Sequence, residues 1–123
     1  MAQNRHLRLV GNRPTALEGR VEVYHSGARV TVCDQTFDVR EATVVCRELG
    51  LGAAVKAVKR AAYGRGYGRV WTNIRNCTGR ENSIHDCFLV KRSFSSLCYH
   101  GNDVGVVCAG PLMKQITNQY VKH

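Results

Sequence analysis

The sequence lacks three features that mark common classes of protein. No run of about 18 apolar residues occurs, so no segment is long enough to span a bilayer as a helix. No C-x-x-C pair occurs, which excludes the usual zinc-knuckle and thioredoxin motifs. The first residues show no signal-peptide pattern, and we expect any targeting signal to lie elsewhere in a parent protein. What remains is a globular composition over 123 residues, enough for one domain.

Acidic residues are also scarce. The chain has 9 Asp and Glu against 18 Lys and Arg, a formal net charge of +9. A field of this sign attracts polyanions over long distances, whether sulfated glycans, nucleic acid, anionic lipid or acidic protein. The alternative is a basic surface that serves solubility alone. We predict acidic or sulfated polyanions, or acidic protein surfaces, as partners.

Cysteine is frequent for a chain of this length, with six residues. The even number and wide spacing of the six cysteines predict three disulfides formed in an oxidising compartment, whereas reduced cytosolic thiols are the disfavoured alternative. Six cysteines permit 15 pairings, and counting does not choose among them. The predicted disulfide cysteines are Cys33, Cys46, Cys77, Cys87, Cys98 and Cys108.

Alternating apolar and polar residues predict strands in the first third of the chain. Residues 7–10 form one short alternating run before a turn. Residues 20–24 and 29–33 alternate as well, and the turn signal Ser26-Gly27 lies between them. The last two runs are therefore predicted to pair as a β-hairpin.

A helix is predicted directly after the hairpin. Asp38 is a suitable N-cap, and Glu41 follows three residues later in the capping-box position. Gly50 is a suitable C-terminal cap. Helical spacing places four apolar residues on one face, and we expect that face to pack on the sheet: Ala42, Val45, Cys46 and Leu49.

The rest of the chain contains one ambiguous segment, one loop and several short predicted elements. Residues 53–60 fit either a helix or a strand, and residues 63–69 form a glycine-rich loop. Residues 70–74 and 104–108 are predicted strands, and residues 81–86 fit one short helical turn. No internal repeat or low-complexity tract is present.

Several sequence blocks together resemble a known family. They are EGRVEVYH at 18–25, TVCD at 31–34, ATVVCRELG at 42–50, NCTGRE and SIHDC at 76–87, and DVGVVC at 103–108. These blocks resemble the scavenger receptor cysteine-rich (SRCR) domains. The likeness runs from about Leu7 to Cys108, and the absence of an additional cysteine pair makes the chain similar to group A, the six-cysteine type.

The resemblance implies an α+β fold in which a curved antiparallel β-sheet cradles one α-helix. The domain is expected to span residues 7–109, with residues 1–6 and 110–123 as a linker and a tail. The family pattern also implies the disulfide pairing Cys33–Cys98, Cys46–Cys108 and Cys77–Cys87.

The resemblance further implies an extracellular, non-catalytic recognition domain, either secreted or in the ectodomain of a membrane protein. Such domains bind polyanions or proteins, as in scavenger-type or innate-immune receptors. The alternative is a domain that contacts or positions other domains of a multidomain secreted enzyme, such as a serine protease or a lysyl-oxidase-like protein. No membrane insertion and no specific nucleic-acid recognition are expected, because no nucleic-acid-binding motif is present.

Basic residues concentrate in the middle third of the chain and on the hairpin. Arginine suits sulfate, phosphate and carboxylate, because its planar guanidinium donates two parallel hydrogen bonds. The alternative is a solvated surface with scattered charge. The predicted ligand-binding residues are Arg20, Arg29, Lys56, Lys59, Arg60, Arg65, Arg69, Arg75 and Arg80.

A calcium site is a weaker prediction. Family members with such a site use paired acids after the first cysteine and a glutamate near the last; the matching residues here are Asp34, Gln35 and Asn102. Only one carboxylate is kept, and calcium favours several charged oxygen ligands. No other cofactor is predicted. Asp38 and Asp103 are expected to serve as a helix cap and a structural hydrogen-bond acceptor.

Two further positions stand out. The family usually has Trp-Gly before the TVC block, and this chain has Arg29-Val30 instead, so an aromatic anchor is exchanged for a positive charge. Asn76 begins an N-x-T glycosylation sequence, although Cys77 in the middle position makes it a poor acceptor.

Catalytic sites are disfavoured. A cysteine nucleophile needs a free thiol, and all the cysteines are expected in disulfides. Ser83, His85 and Asp86 lie too close in sequence to converge as a triad. The histidines also lack the spacing of zinc ligands.

Overall fold

A computed structural model describes residues 6–71, 73–93 and 98–111. In chain order the elements are β1 (Leu7–Val10), β2 (Glu18–His25), β3 (Ala28–Val32), α1 (Val39–Glu48), β4 (Ala54–Val58), β5 (Val70–Trp71), β6 (Asn73–Asn76), β7 (Phe88–Ser93) and β8 (Gly105–Cys108). Two short 3₁₀ turns span Ile84–Asp86 and His100–Asn102. The strand predicted at 70–74 is thus divided between β5 and β6, and the ambiguous segment 53–60 contains strand β4.

Strand β2 organises the main sheet, because β1, β3 and β8 all pair with it in antiparallel register. Strand β4 extends the sheet beyond β8, and β5 joins β3 in parallel. Strands β6 and β7 form a separate antiparallel ribbon. The predicted α+β fold is confirmed, and its sheet is mixed because β3 and β5 pair in parallel.

The predicted hairpin is present, and the backbone conformation of its turn explains why glycine occurs there. Ser26 and Gly27 both adopt positive φ, 52° and 82°. Two consecutive residues of this kind form the turn whose twist matches that of the strands it joins. The register Tyr24↔Arg29 and His25↔Ala28 follows from this two-residue connection.

Helix α1 begins as predicted. The Asp38 side chain accepts a hydrogen bond from the backbone N–H of Arg40, and the Glu41 carboxylate accepts one from the backbone N–H of Asp38. Hydrogen bonds from the side chain and the backbone N–H of Arg40, together with its positive charge, lower the pKa of Asp38 to about 2. Gly50 follows the C-terminal cap with φ 72°, a conformation that favours glycine.

The helix packs its apolar face against the inner face of the sheet. Core residues come from both layers, and all of the following are at most 1% exposed: Leu7, Leu9, Val21, Val23, Ala42, Val44, Val45, Cys46, Val104 and Val106. Burial at alternate positions of β1 and β2 leaves the intervening residues on the opposite face of the sheet. Within the described residues, no helix is long and apolar enough to cross a membrane.

The three disulfides join the pairs that the resemblance implies: Cys33–Cys98, Cys46–Cys108 and Cys77–Cys87. The first two close loops of 65 and 62 residues, and the third closes a loop of 10. In the chain-entropy model each long loop stabilises the domain by about 4 kcal/mol and the short loop by about 3 kcal/mol. Cys46–Cys108 ties the helix to strand β8.

Candidate ligand-binding site

We call the face of the sheet that points away from the hydrophobic core the outer face. This face carries a row of polar residues. Arg8 on β1 lies opposite Glu22 on β2, and Glu22 lies opposite Thr31 on β3. Arg20 and Arg29 share this face, because each is two residues from a member of the row on its own strand. Strand pairing therefore gathers residues that are far apart in sequence.

Glu22 lies between two of these arginines and is only 6% exposed. Its Oε1 accepts a hydrogen bond from Arg8 Nε at 2.8 Å and forms an ion pair with Arg8 Nη2 at 2.6 Å. Its Oε2 accepts from Arg20 Nε and Nη2, at 3.1 and 3.0 Å. One carboxylate thus accepts two guanidinium forks, an arrangement with strong directional hydrogen bonds.

Arg29 has no such carboxylate partner in the described part of the chain. Its guanidinium carbon lies 5.5 Å from the centre of the Tyr24 ring, a cation–π contact of about 0.5–1 kcal/mol. Its Nη1 is buried and has no hydrogen-bond partner among the described residues. The aromatic ring therefore holds the guanidinium in place without satisfying its N–H groups.

These side chains surround a cavity of about 190 Å³. Tyr67 stands at the cavity and is 91% exposed, so its ring is available to a ligand. The lining residues with a polar or aromatic role are Arg8, Arg20, Glu22, Arg29, Thr31 and Tyr67. With three arginines and one glutamate, the lining carries an excess of positive charge.

The glycine-rich loop that carries Tyr67 is fixed to the sheet by its backbone. The Gly66 N–H donates to Asp103 Oδ2 at 2.8 Å, and Asp103 is only 1% exposed. Gly66 permits this approach, because a Cβ there would lie 2.6 Å from Thr31 Cγ2. Asp103 is a structural acceptor, as expected.

His100 holds the same loop from the other side. Its Nδ1 lies 2.9 Å from Asp103 Oδ2 and its Nε2 lies 2.9 Å from the Gly68 carbonyl oxygen. Burial alone would lower the pKa of His100, but hydrogen bonds to the Gly68 carbonyl and to Asp103 outweigh burial and raise it above its ordinary value. Both ring nitrogens face acceptors, so the protonated imidazolium fits this position best.

The structure places the other predicted basic residues on different elements. Lys56 lies on β4, and Lys59 and Arg60 follow it, all exposed. Arg65 is exposed, and its guanidinium carbon lies 5.8 Å from the centre of the Tyr99 ring.

Arg69 borders a second, more open cavity of about 430 Å³ near Trp71. Arg80 is exposed in the loop after Cys77, and the side chain of Arg75 lies outside the described part of the structure. Of the predicted basic residues, Arg20 and Arg29 line the cavity on the outer face.

Sequence reasoning missed Arg8, Glu22 and Tyr67. Alternation along β1 and β2 does predict that Arg8, Arg20 and Glu22 point away from the core. The pairing register that brings Arg8 opposite Glu22 has no local signal in the sequence, because the two residues are 14 positions apart along the chain.

The candidate calcium residues are only partly brought together. Asp34 is 5% exposed, and its Oδ2 accepts the backbone N–H of Arg60 at 2.8 Å. Its Oδ1 receives the side-chain amide of Asn102 at 3.4 Å, while Gln35 is exposed. One carboxylate whose two oxygens already face N–H donors fits calcium poorly, and we assign the ion no role.

Within the described residues, one cluster has three potential metal-ligating groups at short range, namely Cys77, Glu81 and Cys87. The two cysteines are joined in a disulfide and offer no thiolate. Glu81 instead accepts hydrogen bonds from the backbone N–H groups of Thr78 and Gly79. These bonds lower the pKa of Glu81 to about 2, and the bond from Thr78 has the largest effect. The cluster is a structural turn.

Ser83 and Asn76 belong to the neighbouring segment. The Ser83 hydroxyl accepts the backbone N–H of His85 at 3.2 Å and caps a 3₁₀ turn. Asn76 is exposed at the end of β6, and its glycosylation stays a prediction.

The model of the scavenger receptor cysteine-rich domain family matches residues 11–109. The chain belongs to this family. Domains of this family are extracellular, disulfide-rich recognition domains without a catalytic site of their own.

Curated relatives of this SRCR domain include two kinds of multidomain protein. Lysyl oxidase homolog 2 of Xenopus laevis is 45% identical over 104 residues, which cover 85% of this chain and 14% of the relative. Macrophage scavenger receptor types I and II of Mus musculus is 44% identical over 102 residues, which cover 83% of this chain and 22% of the relative. The SRCR domain thus spans about a fifth or less of these proteins.

Solved structures show the same fold. The third SRCR domain of murine neurotrypsin superimposes with a TM-score of 0.76 at 37% identity, covering 83% of this chain and 94% of that one. The SRCR domain of mouse MARCO, solved in a dimeric form, gives a TM-score of 0.65 at 39% identity, covering 75% and 86%.

Proposed function

We propose that this SRCR domain is an extracellular, non-catalytic module that binds polyanionic or acidic partners through the outer face of its sheet. The observation that carries the proposal is the cavity lined by Arg8, Arg20 and Arg29 around the single carboxylate of Glu22. The net charge of +9 supports it, because such a field steers acidic ligands toward the domain.

The arrangement supports binding rather than reaction. The arginines provide hydrogen-bond donors that do not titrate near neutral pH. All six cysteines are in disulfides, so the chain has no free thiol nucleophile. A rigid sheet that presents fixed cations suits recognition of a charged surface.

A second candidate function is to contact or position other domains of a larger extracellular enzyme. The likeness to lysyl oxidase homolog 2 and to a neurotrypsin domain favours this candidate. The two functions are compatible, since an acidic surface on a neighbouring domain is also a polyanionic partner.

Retention on immobilised heparin tests the main proposal. The domain should elute from heparin at clearly higher salt than a control protein of equal size and net charge, and it should pass through a neutral glycan column. Adding EDTA should leave the elution unchanged, because the binding face uses arginine rather than calcium. Elution together with the control protein would refute the proposal.

A further inference from the structure

The cavity on the outer face has many unused hydrogen-bond donors. Each guanidinium has five N–H groups. Arg8 directs two of them toward Glu22, and Arg20 directs two toward Glu22 and one toward the Gly64 carbonyl. The buried Nη1 of Arg29 has no hydrogen-bond partner among the described residues. Three donors remain on Arg8 and two on Arg20, and Nη1 of Arg29 adds two more.

Glu22 supplies too little negative charge for this set. Its single carboxylate already accepts both neighbouring forks, so Arg29 shares no carboxylate with them. A guanidinium nitrogen that is buried without a partner costs free energy, and that cost is relieved when an oxyanion enters and accepts its N–H groups. The cavity therefore favours the entry of an anion.

Shape and surroundings narrow the kind of anion. A volume of 190 Å³ equals about six water molecules at roughly 30 Å³ each, enough for one oxyanion and part of the group that carries it. Donors converge from three strands, which suits a tetrahedral oxyanion with acceptors on several sides. A planar carboxylate is satisfied by one fork.

Tyr67 adds a contact for the carrier of the anion. It is 91% exposed at the cavity, and its neighbour Gly66 is anchored by a hydrogen bond to Asp103. An exposed aromatic ring on an anchored backbone offers an apolar surface to the face of a sugar ring at little conformational cost.

We propose that this cavity binds one sulfate ester of a sulfated glycan, with Arg29 as the principal donor and Tyr67 covering the sugar ring. The inference deepens the proposed function and rests on it, since it names the ligand class and one subsite within the basic face.

The test uses calorimetric titration with a trisulfated heparin disaccharide, and with the same disaccharide after desulfation. Arg29→Gln should weaken binding of the trisulfated disaccharide by at least about tenfold. The matched control is Arg40→Gln, which removes one exposed positive charge from helix α1. It should change the affinity less than about twofold. Tyr67→Ala should weaken binding about threefold, and the desulfated disaccharide should not bind.

Thermal melting confirms that each variant is folded before it is titrated. Equal weakening by Arg29→Gln and Arg40→Gln would overturn the subsite, while salt-resistant retention on heparin would leave the proposed function standing. A tetraglutamate peptide that binds as tightly as the trisulfated disaccharide, with equal dependence on Arg29, would overturn the sulfated glycan in favour of an acidic protein. Loss of heparin retention by the unaltered domain would instead refute the proposed function itself.

Discussion

Two buried glutamates lie on opposite sides of this domain, and their partners differ. Glu41, on helix α1, is 2% exposed and accepts two backbone N–H groups, those of Asp38 and Cys77, at 2.9 Å each. Glu22, on the outer face of the sheet, is 6% exposed and accepts side-chain forks from Arg8 and Arg20.

The difference separates a structural carboxylate from one that belongs to the proposed binding surface. Backbone donors are fixed by the fold, so Glu41 joins the start of the helix to the Cys77 loop. Burial raises the pKa of Glu41 above its ordinary value. The donors around Glu22 are long side chains with N–H groups to spare, and a third arginine stands beside them. A ligand can therefore use the second arrangement and not the first.

Replacing Glu41 should give the largest effect on stability. Glu41→Ala leaves the buried N–H of Cys77 without an acceptor and removes half of the capping box. Each loss costs about 1–2 kcal/mol, so the free energy of unfolding should fall by about 3 kcal/mol. Urea denaturation followed by circular dichroism measures the change.

The matched variant on the other side is Glu22→Ala. The side chains of Arg8 and Arg20 are 36% and 14% exposed and border a cavity that water can enter, so this variant should cost about 1–2 kcal/mol, less than Glu41→Ala. Heparin retention should persist in both variants. If the two variants prove equally destabilising, Glu22 is structural and the contrast between the two sides fails.

An intermediate effect is expected on affinity. Glu22→Gln keeps the shape of the side chain and removes the negative charge that competes with a ligand for Arg8 and Arg20. Affinity for the trisulfated disaccharide should rise about threefold to tenfold, equivalent to about 0.7–1.4 kcal/mol. Titration calorimetry measures it. Glu81→Gln changes the net charge equally in the loop between Cys77 and Cys87, and an equal gain there would contradict a local role for Glu22.

The elements with local signals were predictable from the sequence. The capping box of Asp38 and Glu41 predicted the start of α1, and Ser26-Gly27 predicted the hairpin turn. The disulfide pairing followed from the family resemblance and not from spacing. Segment 53–60 stayed ambiguous, because what fixes β4 as a strand is its long-range pairing with β8.

The site was less predictable than the fold. Arg20 and Arg29 were identified by their charge, whereas Arg8 and Glu22 enter through a pairing register between β1 and β2 that leaves no local trace. Sequence clustering also grouped Lys56, Lys59 and Arg60 with the site, although the cavity is lined from other strands. Net charge leads to the expectation of an acidic partner, and the pairing of the strands brings together the residues of the proposed subsite.

The smallest expected effect concerns pH and the loop that carries Tyr67. His100 faces the Asp103 carboxylate and the Gly68 carbonyl, and it also lies near the Thr31 hydroxyl and the positive charge of Arg20, which lowers its pKa. The net shift is upward. Because the pKa is higher in the folded state, the stabilisation is fully present below the unfolded value of about 6.5 and is lost as pH rises through the folded value.

The melting temperature of the domain should therefore decline as pH is raised from below 6.5, and His100→Gln should flatten this decline by an amount that belongs to His100 alone. Every other side chain is common to both proteins, so the difference between the two melting curves isolates the contribution of His100. Hydrogen exchange at the Gly66 amide supplies the local readout, since that N–H is held by Asp103. Its protection factor should fall with rising pH in the unaltered domain and stay level in the variant. On the α1 side, the Cys77 amide bound to Glu41 should keep the same protection in both proteins over this range. Parallel pH profiles for Gly66 in the two proteins would show that His100 does not hold the loop, and that the outer face keeps its shape without the imidazolium.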